Sequence, residues 1–177
     1  GVQFRTGGRN DYFLAVSRLN DHKRIDYAIK AVRQCPDAYL KIIGTGPEEE
    51  NLKRLAGGCD RIEFLGRIDD DYLVKAYEDC MGVIFTPREE DLGLITIESF
   101  LSGKPVITCE DSGEPAIIVQ LANGGYIEKD PDGIAVRIRE LMADPSKALE
   151  LGSNGHRFMQ TITWENTVKK LIDALQE

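Results

Sequence analysis

The run Pro87-Arg88-Glu89-Glu90-Asp91-Leu92-Gly93-Leu94-Ile95-Thr96-Ile97-Glu98 carries two carboxylates, Glu90 and Glu98, with seven residues between them. Glu98 sits among Leu94, Ile95, Ile97, Phe100 and Leu101, and a carboxylate in so apolar a stretch is costly to bury unless it has partners. It falls in the early turns of a helix, where the helix dipole favours its charge, and it could accept two hydroxyl hydrogen bonds of the kind a ribose diol offers. Glu90 lies before that helix and could approach a sugar ring, while the amides around Gly93 and Leu94 would face an anion. An acidic surface loop followed by a helix-stabilising glutamate accounts for the same residues.

Arg18 and Lys23, five positions apart, share a loop that follows the first apolar run. Arginine offers a planar fork of donors and lysine a mobile point charge, a suitable pair for a diphosphate. A solvated loop beside Asp21 and Asp26 is the alternative. Gly44-Thr45-Gly46-Pro47 follows the second apolar run. Gly44 and Gly46 would let the backbone approach a ligand closely, with a helix N-terminus behind, or would merely make a tight turn. With Pro47 next and no third glycine in place, this is not a dinucleotide fingerprint.

Such loops need elements to hold them. Short apolar runs alternate with amphipathic ones, and the pattern predicts strands at Tyr12–Val16, Tyr39–Ile43, Ile62–Leu65, Gly82–Thr86, Pro105–Thr108 and Gly125–Ile127. Helices are predicted between them: Ile25–Val32, Glu48–Leu55, Tyr72–Asp79, Leu94–Leu101 and Pro115–Leu121. The stretch from Asp132 reads as helices broken near Pro145 and again near Thr161 to Trp164. This alternation implies one Rossmann-like α/β domain spanning 1–177: a doubly wound parallel sheet of about six strands flanked by helices. Ligands in such sheets bind beyond the carboxyl ends of the strands, where these charged loops fall.

Composition narrows the partners. The 177 residues are 42% hydrophobic and 29% charged, an ordinary globular balance, with a formal net charge of −8. That charge argues against a nucleic-acid partner, which needs a basic face, but not against a small anionic ligand held by a few local cations. Cys35, Cys59, Cys80 and Cys109 are too scattered for a zinc site and read as reduced thiols of a cytoplasmic protein. His22 and His156 have no visible triad or metal partner. Asp69-Asp70-Asp71 could suggest a metal-binding motif, but its place before a helix favours N-capping. Phe158 and Trp164 read as packing residues.

Arg18-Leu19 with Lys23, Ile43 to Pro47, Phe64-Leu65-Gly66-Arg67, Pro87 to Glu98, and Gly103-Lys104-Pro105-Val106-Ile107 occur in one order. Together they resemble the C-terminal domain of the retaining GT-B glycosyltransferases called family 4, whose Glu-x7-Glu motif Glu90 and Glu98 match. The resemblance runs from about Tyr12 to the final helix. It implies that Arg18 and Lys23 hold a donor diphosphate and that Gly66, Arg67 and Ile68 contact the base. Glu98 would bind the ribose, Glu90 would lie by the anomeric centre of the transferred sugar, and Gly93 and Leu94 would offer amides to sugar or phosphate. The implied donor is GDP-mannose or a UDP-hexose, with no metal or other cofactor. The implied reaction is retaining hexosyl transfer, with mannosyl transfer to a cell-surface glycan or glycolipid as the specific expectation.

Two positions depart from the family pattern. Asp91 stands where glycine is usual after the first glutamate, and Ala116 stands where a glutamate is often found, with Glu114 out of register. The resemblance also implies an N-terminal acceptor-binding domain that this chain lacks, so the chain alone should not catalyse transfer. The last stretch, with Trp164, Val168, Leu171, Ile172 and Leu175 at helical spacing, packs either on its own domain or on that other one. In the intact enzyme a lipid-linked acceptor would bring peripheral association with the inner face of the membrane. A nucleotide-sugar 2-epimerase half and a nucleotide-binding module without catalysis remain as alternatives.

Overall fold

The computed structural model describes residues 3–8 and 12–162. The amphipathic stretch from Trp164 to Leu175 therefore lies outside the described residues. The six strands are β1 (Tyr12–Val16), β2 (Leu40–Ile43), β3 (Ile62–Gly66), β4 (Cys80–Ile84), β5 (Val106–Cys109) and β6 (Gly125–Glu128). They form one parallel sheet in the order β3-β2-β1-β4-β5-β6. The helices are α1 (Ile25–Arg33), α2 (Glu49–Ala56), α3 (Asp70–Asp79), α4 (Leu94–Leu101), α5 (Glu114–Ala122), α6 (Pro131–Ala143) and α7 (Pro145–Gln160).

The inner strands β2, β1, β4 and β5 are largely buried on both sides, and their alternating side chains feed two cores. Phe13 and Ala15 of β1 join one cluster with Ile25, Ile29 and Val32 of α1, Leu52 of α2, and Ile134 and Ile138 of α6. Tyr12 and Leu14 join the other with Ala76 and Tyr77 of α3, Phe100 of α4, and Ile118 and Val119 of α5. Helices α1, α2 and α6 thus cover one face, and α3, α4 and α5 the other. This is the doubly wound arrangement that the sequence predicts. The strand order reverses at β1, which leaves a crevice beyond the carboxyl ends of β1 and β4.

Most element boundaries differ from expectation by one or two residues. β4 begins at Cys80, two residues before the predicted Gly82, because α3 passes into it with no intervening turn: Cys80 is both the cap of α3, already extended at φ −75° and ψ 156°, and the first strand residue. Tyr39 is left out of β2, although its carbonyl accepts from the Phe13 N–H at 2.8 Å. Asp69 caps α3, its side chain accepting from the Tyr72 N–H at 2.8 Å, as its place before the helix predicts. Asp144 similarly separates α6 from α7, accepting from Ser146. The four cysteines are free thiols. Among the described residues no helix is long and apolar enough to cross a membrane, and no group of three or more His, Cys, Asp or Glu could hold a metal ion.

The loops after β1 and β2 are fused through backbone. The Leu19 N–H donates to the Thr45 carbonyl at 3.0 Å, and the Glu48 N–H to the Leu19 carbonyl at 3.0 Å. A Cβ on Gly44 would lie 1.9 Å from the Ser17 carbonyl oxygen, and one on Gly46 would lie 2.1 Å from that of Leu19. Gly44 also has φ +130°, where L side chains are strained. Gly44→Ala and Gly46→Ala should each therefore lower unfolding stability by at least about 2 kcal/mol. Urea denaturation reads this directly; unchanged midpoints would contradict the packing described.

Candidate active site at the β1–β4 crevice

The crevice is organised around an ion pair. A single 3-10 turn, Asp21–Lys23, follows β1, and the Asn20 side chain caps it by accepting from the Lys23 N–H at 3.2 Å. Arg24 ends the turn in the left-handed region at φ 48°. The turn projects the Lys23 ammonium onto the Glu90 carboxylate, a direct salt bridge between groups that are 25% and 23% exposed. The same ammonium lies 5.8 Å from the centre of the Phe85 ring. Glu90 is held in turn by the loop after β5. Its N–H donates to the Ser112 carbonyl at 3.0 Å, and its carbonyl accepts from the Glu114 N–H at 3.0 Å. Gly113 makes this approach possible, since a Cβ there would lie 2.7 Å from the Glu90 oxygen.

At the carboxyl ends of β1, β2 and β3 a cavity of about 370 Å³ is lined by Arg18, Gly44, Thr45, Arg67, Ile68 and Leu73, among others, with neither member of the ion pair in its lining. Arg18 and Arg67 are exposed, and neither guanidinium pairs with a carboxylate among the described residues. Two unneutralised guanidinium groups at one opening make a local positive field on an otherwise acidic chain. Larger cavities of about 720 and 510 Å³ open on α3, but neither is lined by Arg18, which the strand-end cavity includes. Volume alone is therefore a poor guide here; the convergence of charge at the strand ends is the better one.

Helix α4 starts at this crevice. Gly93 caps it at φ 65°, packed so closely that an added Cβ would lie 2.7 Å from Pro115 Cγ. No side chain caps the helix, and the first helical amides, at Leu94 and Ile95, have no intrahelical acceptor. A helix N-terminus whose amides lack acceptors favours an anion, and Leu94 at this one is 57% exposed. One turn further, Glu98 is half-buried and accepts from the Tyr77 hydroxyl at 2.8 Å through Oε2. Burial pushes the Glu98 carboxyl above its ordinary range, with the Tyr77 hydrogen bond acting in the opposite direction. Burial also pushes the Tyr77 phenol well up, reinforced by the neighbouring Glu98 charge. Tyr77 thus takes one carboxylate oxygen and orients the other.

Arg18, Lys23, Gly44 and Gly46 lie after β1 and β2; Gly66, Arg67 and Ile68 lie at the end of β3 and just beyond it; Glu90, Gly93, Leu94 and Glu98 lie after β4. All belong to one end of the sheet. Lys23 and Glu90 touch. Arg18, Gly44, Arg67 and Ile68 share the cavity. Glu98 is bonded to Tyr77 rather than to either member of the ion pair. The close approach allowed by Gly44 and Gly46 is to the backbone of Ser17 and Leu19, and the Gly66 carbonyl accepts from the Gly44 N–H at 2.8 Å. These glycines shape the crevice wall by fitting the loops together. Asp91 is exposed, and Ala116 is 9% exposed in the first turn of α5.

Sequence reasoning missed Arg24, Asp111 and Tyr77. Arg24 is 6% exposed and forks onto Asp111, with Nη1 to Oδ2 at 2.8 Å and Nη2 to Oδ1 at 2.5 Å. It also donates to the carbonyls of Thr86 and Pro87, each at 2.8 Å. The available signal was an arginine directly after the candidate lysine, in a run that otherwise reads as solvated.

Comparison with known proteins places the family and the fold. The family model described as Glycosyl transferases group 1 matches residues 3–158. A GDP-mannose-dependent monoacylated alpha-(1-6)-phosphatidylinositol monomannoside mannosyltransferase of Corynebacterium glutamicum is 31% identical over 174 residues, covering 90% of this chain and 45% of that protein. The chain spans about half the length of the curated relatives it matches. Anabaena HepE, crystallised with UDP and glucose, superposes with a TM-score of 0.78 at 23% identity, covering 95% of this chain and 49% of that one. The C-terminal domain of the group 1 glycosyl transferase LpcC from Francisella tularensis superposes with a TM-score of 0.76 at 24% identity, covering 90% of this chain and 95% of that one. The chain therefore belongs to the group 1 glycosyl transferases, and its fold is that of the C-terminal-type domain of a GT-B enzyme.

Proposed function

We propose that the crevice beyond β1 and β4 binds a nucleoside diphosphate sugar and that, together with an acceptor-binding domain, it supports retaining transfer of a hexose to a hydroxyl. The observation that carries this reading is the Lys23–Glu90 ion pair, beside unneutralised Arg18 at the strand-order reversal. An incoming diphosphate competes with Glu90 for Lys23. Its capture by Lys23, Arg18 and the open amides of α4 frees the Glu90 carboxylate to face the sugar.

As the bond from the anomeric carbon to the diphosphate oxygen breaks, negative charge grows on the leaving group and positive charge on the sugar ring. Cations and amides fixed by folded loops stabilise the former without reorganising, and Glu90 stabilises the latter. No nucleophile is assigned to this chain; departure of the diphosphate and arrival of the acceptor on one face of the sugar would also retain configuration. Glu98, with one oxygen held by Tyr77, suits a ribose diol. Arg67 and Ile68, which line the same cavity as Arg18, suit the base. No step needs a metal, because the leaving-group charge meets Lys23, Arg18 and helix amides.

GDP-mannose is the donor we favour, because the Corynebacterium relative is GDP-mannose-dependent; HepE holding UDP keeps a UDP-hexose as the second choice. The acceptor would be a glycan or lipid-linked intermediate presented by a second domain, with the intact enzyme in the cytoplasm at the inner face of the membrane. The free cysteines suit that reducing compartment.

Calorimetric titration of this chain with GDP and UDP tests the site and chooses the base together. Arg18→Ala and Lys23→Ala should each weaken binding by about 1–3 kcal/mol, as lost charge-assisted hydrogen bonds would. Glu90→Ala should keep or strengthen binding, since it frees Lys23, while abolishing transfer by the full-length enzyme. Equal affinities in wild type and both cation variants would exclude the site. The raised Glu98 carboxyl adds a pH test. Lowering the pH from about 7 to about 5 protonates it earlier than an ordinary glutamate and removes a ribose acceptor. Nucleotide affinity should fall over that interval more steeply in wild type than in Glu98→Gln; parallel profiles would contradict the assignment.

A further inference from the structure

We propose that Arg24 is a positioning residue for the donor site: its buried guanidinium fixes where Lys23 meets Glu90 by locking together the loops after β1, β4 and β5. This deepens the reading of the crevice as a diphosphate site and rests on it.

Arg24 adjoins Lys23 in the chain, and both its side chain and its main chain hold the loop that leads to Glu90. Nε and Nη2 donate to the Thr86 and Pro87 carbonyls, and the Thr86 hydroxyl donates back to the Arg24 carbonyl at 3.1 Å. The fork onto Asp111 ties in the third loop. There the Asp111 carbonyl accepts from the Glu89 N–H at 3.0 Å, and the neighbouring Ser112 carbonyl accepts from the Glu90 N–H at 3.0 Å. A continuous set of bonds therefore runs from the residue after Lys23 to the backbone of Glu90.

Backbone strain follows the same line. Among the described residues, the non-glycine residues with positive φ are Arg24 at 48°, Glu89 at 50° and Asn123 at 47°. Asn123 caps the end of α5, a common use of that conformation. The other two flank the ion pair: Arg24 directly follows Lys23, and Glu89 directly precedes Glu90. Left-handed backbone in long side chains persists only where surrounding bonds hold it, and it gathers at working sites.

The electrostatics agree. Burial works against the Arg24 charge, but the Asp111 hydrogen bond and the neighbouring groups together overcome it and hold the guanidinium above its ordinary range, while the Asp111 carboxyl is held down chiefly by the bond from Arg24. An ion pair with one member buried is a poor way to gain stability alone, because apolar packing at the buried end would serve as well. Its distinctive property is directional: only a planar fork reaches a carboxylate and two carbonyls at once. A lysine would keep the charge and lose the geometry.

The test uses two substitutions and two readouts. Asp111→Asn is the milder, since the Asp111 side chain is 55% exposed and the replacement keeps its shape; Arg24→Lys keeps the charge at the buried end. Asp111→Asn should weaken binding of whichever of GDP and UDP the wild type prefers by about tenfold, and should have no effect in a Lys23→Ala background, the non-additivity expected of groups acting through one another. Arg24→Lys should show the same pattern. Independently of any nucleotide, loosening the ion pair should raise the rate at which acetic anhydride modifies Lys23, read by mass spectrometry, several-fold over wild type. Thermal melting checks that the fold is kept. Binding losses that simply add to that of Lys23→Ala, or an unchanged Lys23 modification rate in folded Asp111→Asn, would overturn the proposal. If wild type binds neither nucleotide, the diphosphate reading itself fails, and the Lys23 modification rate still decides whether Arg24 and Asp111 set the ion pair.

Discussion

Strand β1 pairs on one side with β2 and on the other with β4, and everything at the crevice depends on that second pairing. Lys23 and Glu90 are 67 residues apart in sequence. They meet because the loops after two adjacent parallel strands emerge side by side. The helices that follow these strands leave toward opposite faces of the sheet, so the loops diverge instead of covering the strand ends. The gap left between them is open, lined by backbone, and flanked by a helix N-terminus. Charge placed there meets low-dielectric walls on two sides, which makes a few cations count for more than the net charge of −8 suggests.

The loops that border the gap are held by contacts with backbone. Gly44 and Gly46 let the β2 loop lie against Ser17 and Leu19, and Gly113 lets the β5 loop lie against Glu90. Arg24 crosses the same region with its side chain. Glu90 is the counter-ion of Lys23 in the crevice. The pairing offsets the cost of holding both groups partly out of water. On the proposed reading, donor binding would exchange one anion for another at Lys23.

Much of this was legible in the sequence because the signals were local. Four- and five-residue apolar runs alternating with amphipathic ones point to a parallel sheet, and a parallel sheet places function beyond its strand ends. Glu90 and Glu98 stood out because one carboxylate preceded an apolar helix and the other lay inside it. What escaped was non-local. Arg24 looks solvated in the run Asp21-His22-Lys23-Arg24, and only the fold reveals that carbonyls 62 and 63 residues away take its donors. Tyr77 reads as one more core aromatic until its hydroxyl is found on Glu98. The glycines were ambiguous for a different reason: a glycine that admits a ligand and one that admits a neighbouring backbone look alike in sequence. The start of β4 was misplaced because no turn residue marks the passage from α3.

The most direct test is a crystal structure of this chain with the nucleoside diphosphate it binds more tightly. The account predicts phosphate oxygens on Lys23 Nζ and against Arg18, with Lys23 released from Glu90. A nucleotide bound elsewhere, or bound while the Lys23–Glu90 contact stays closed, would contradict it.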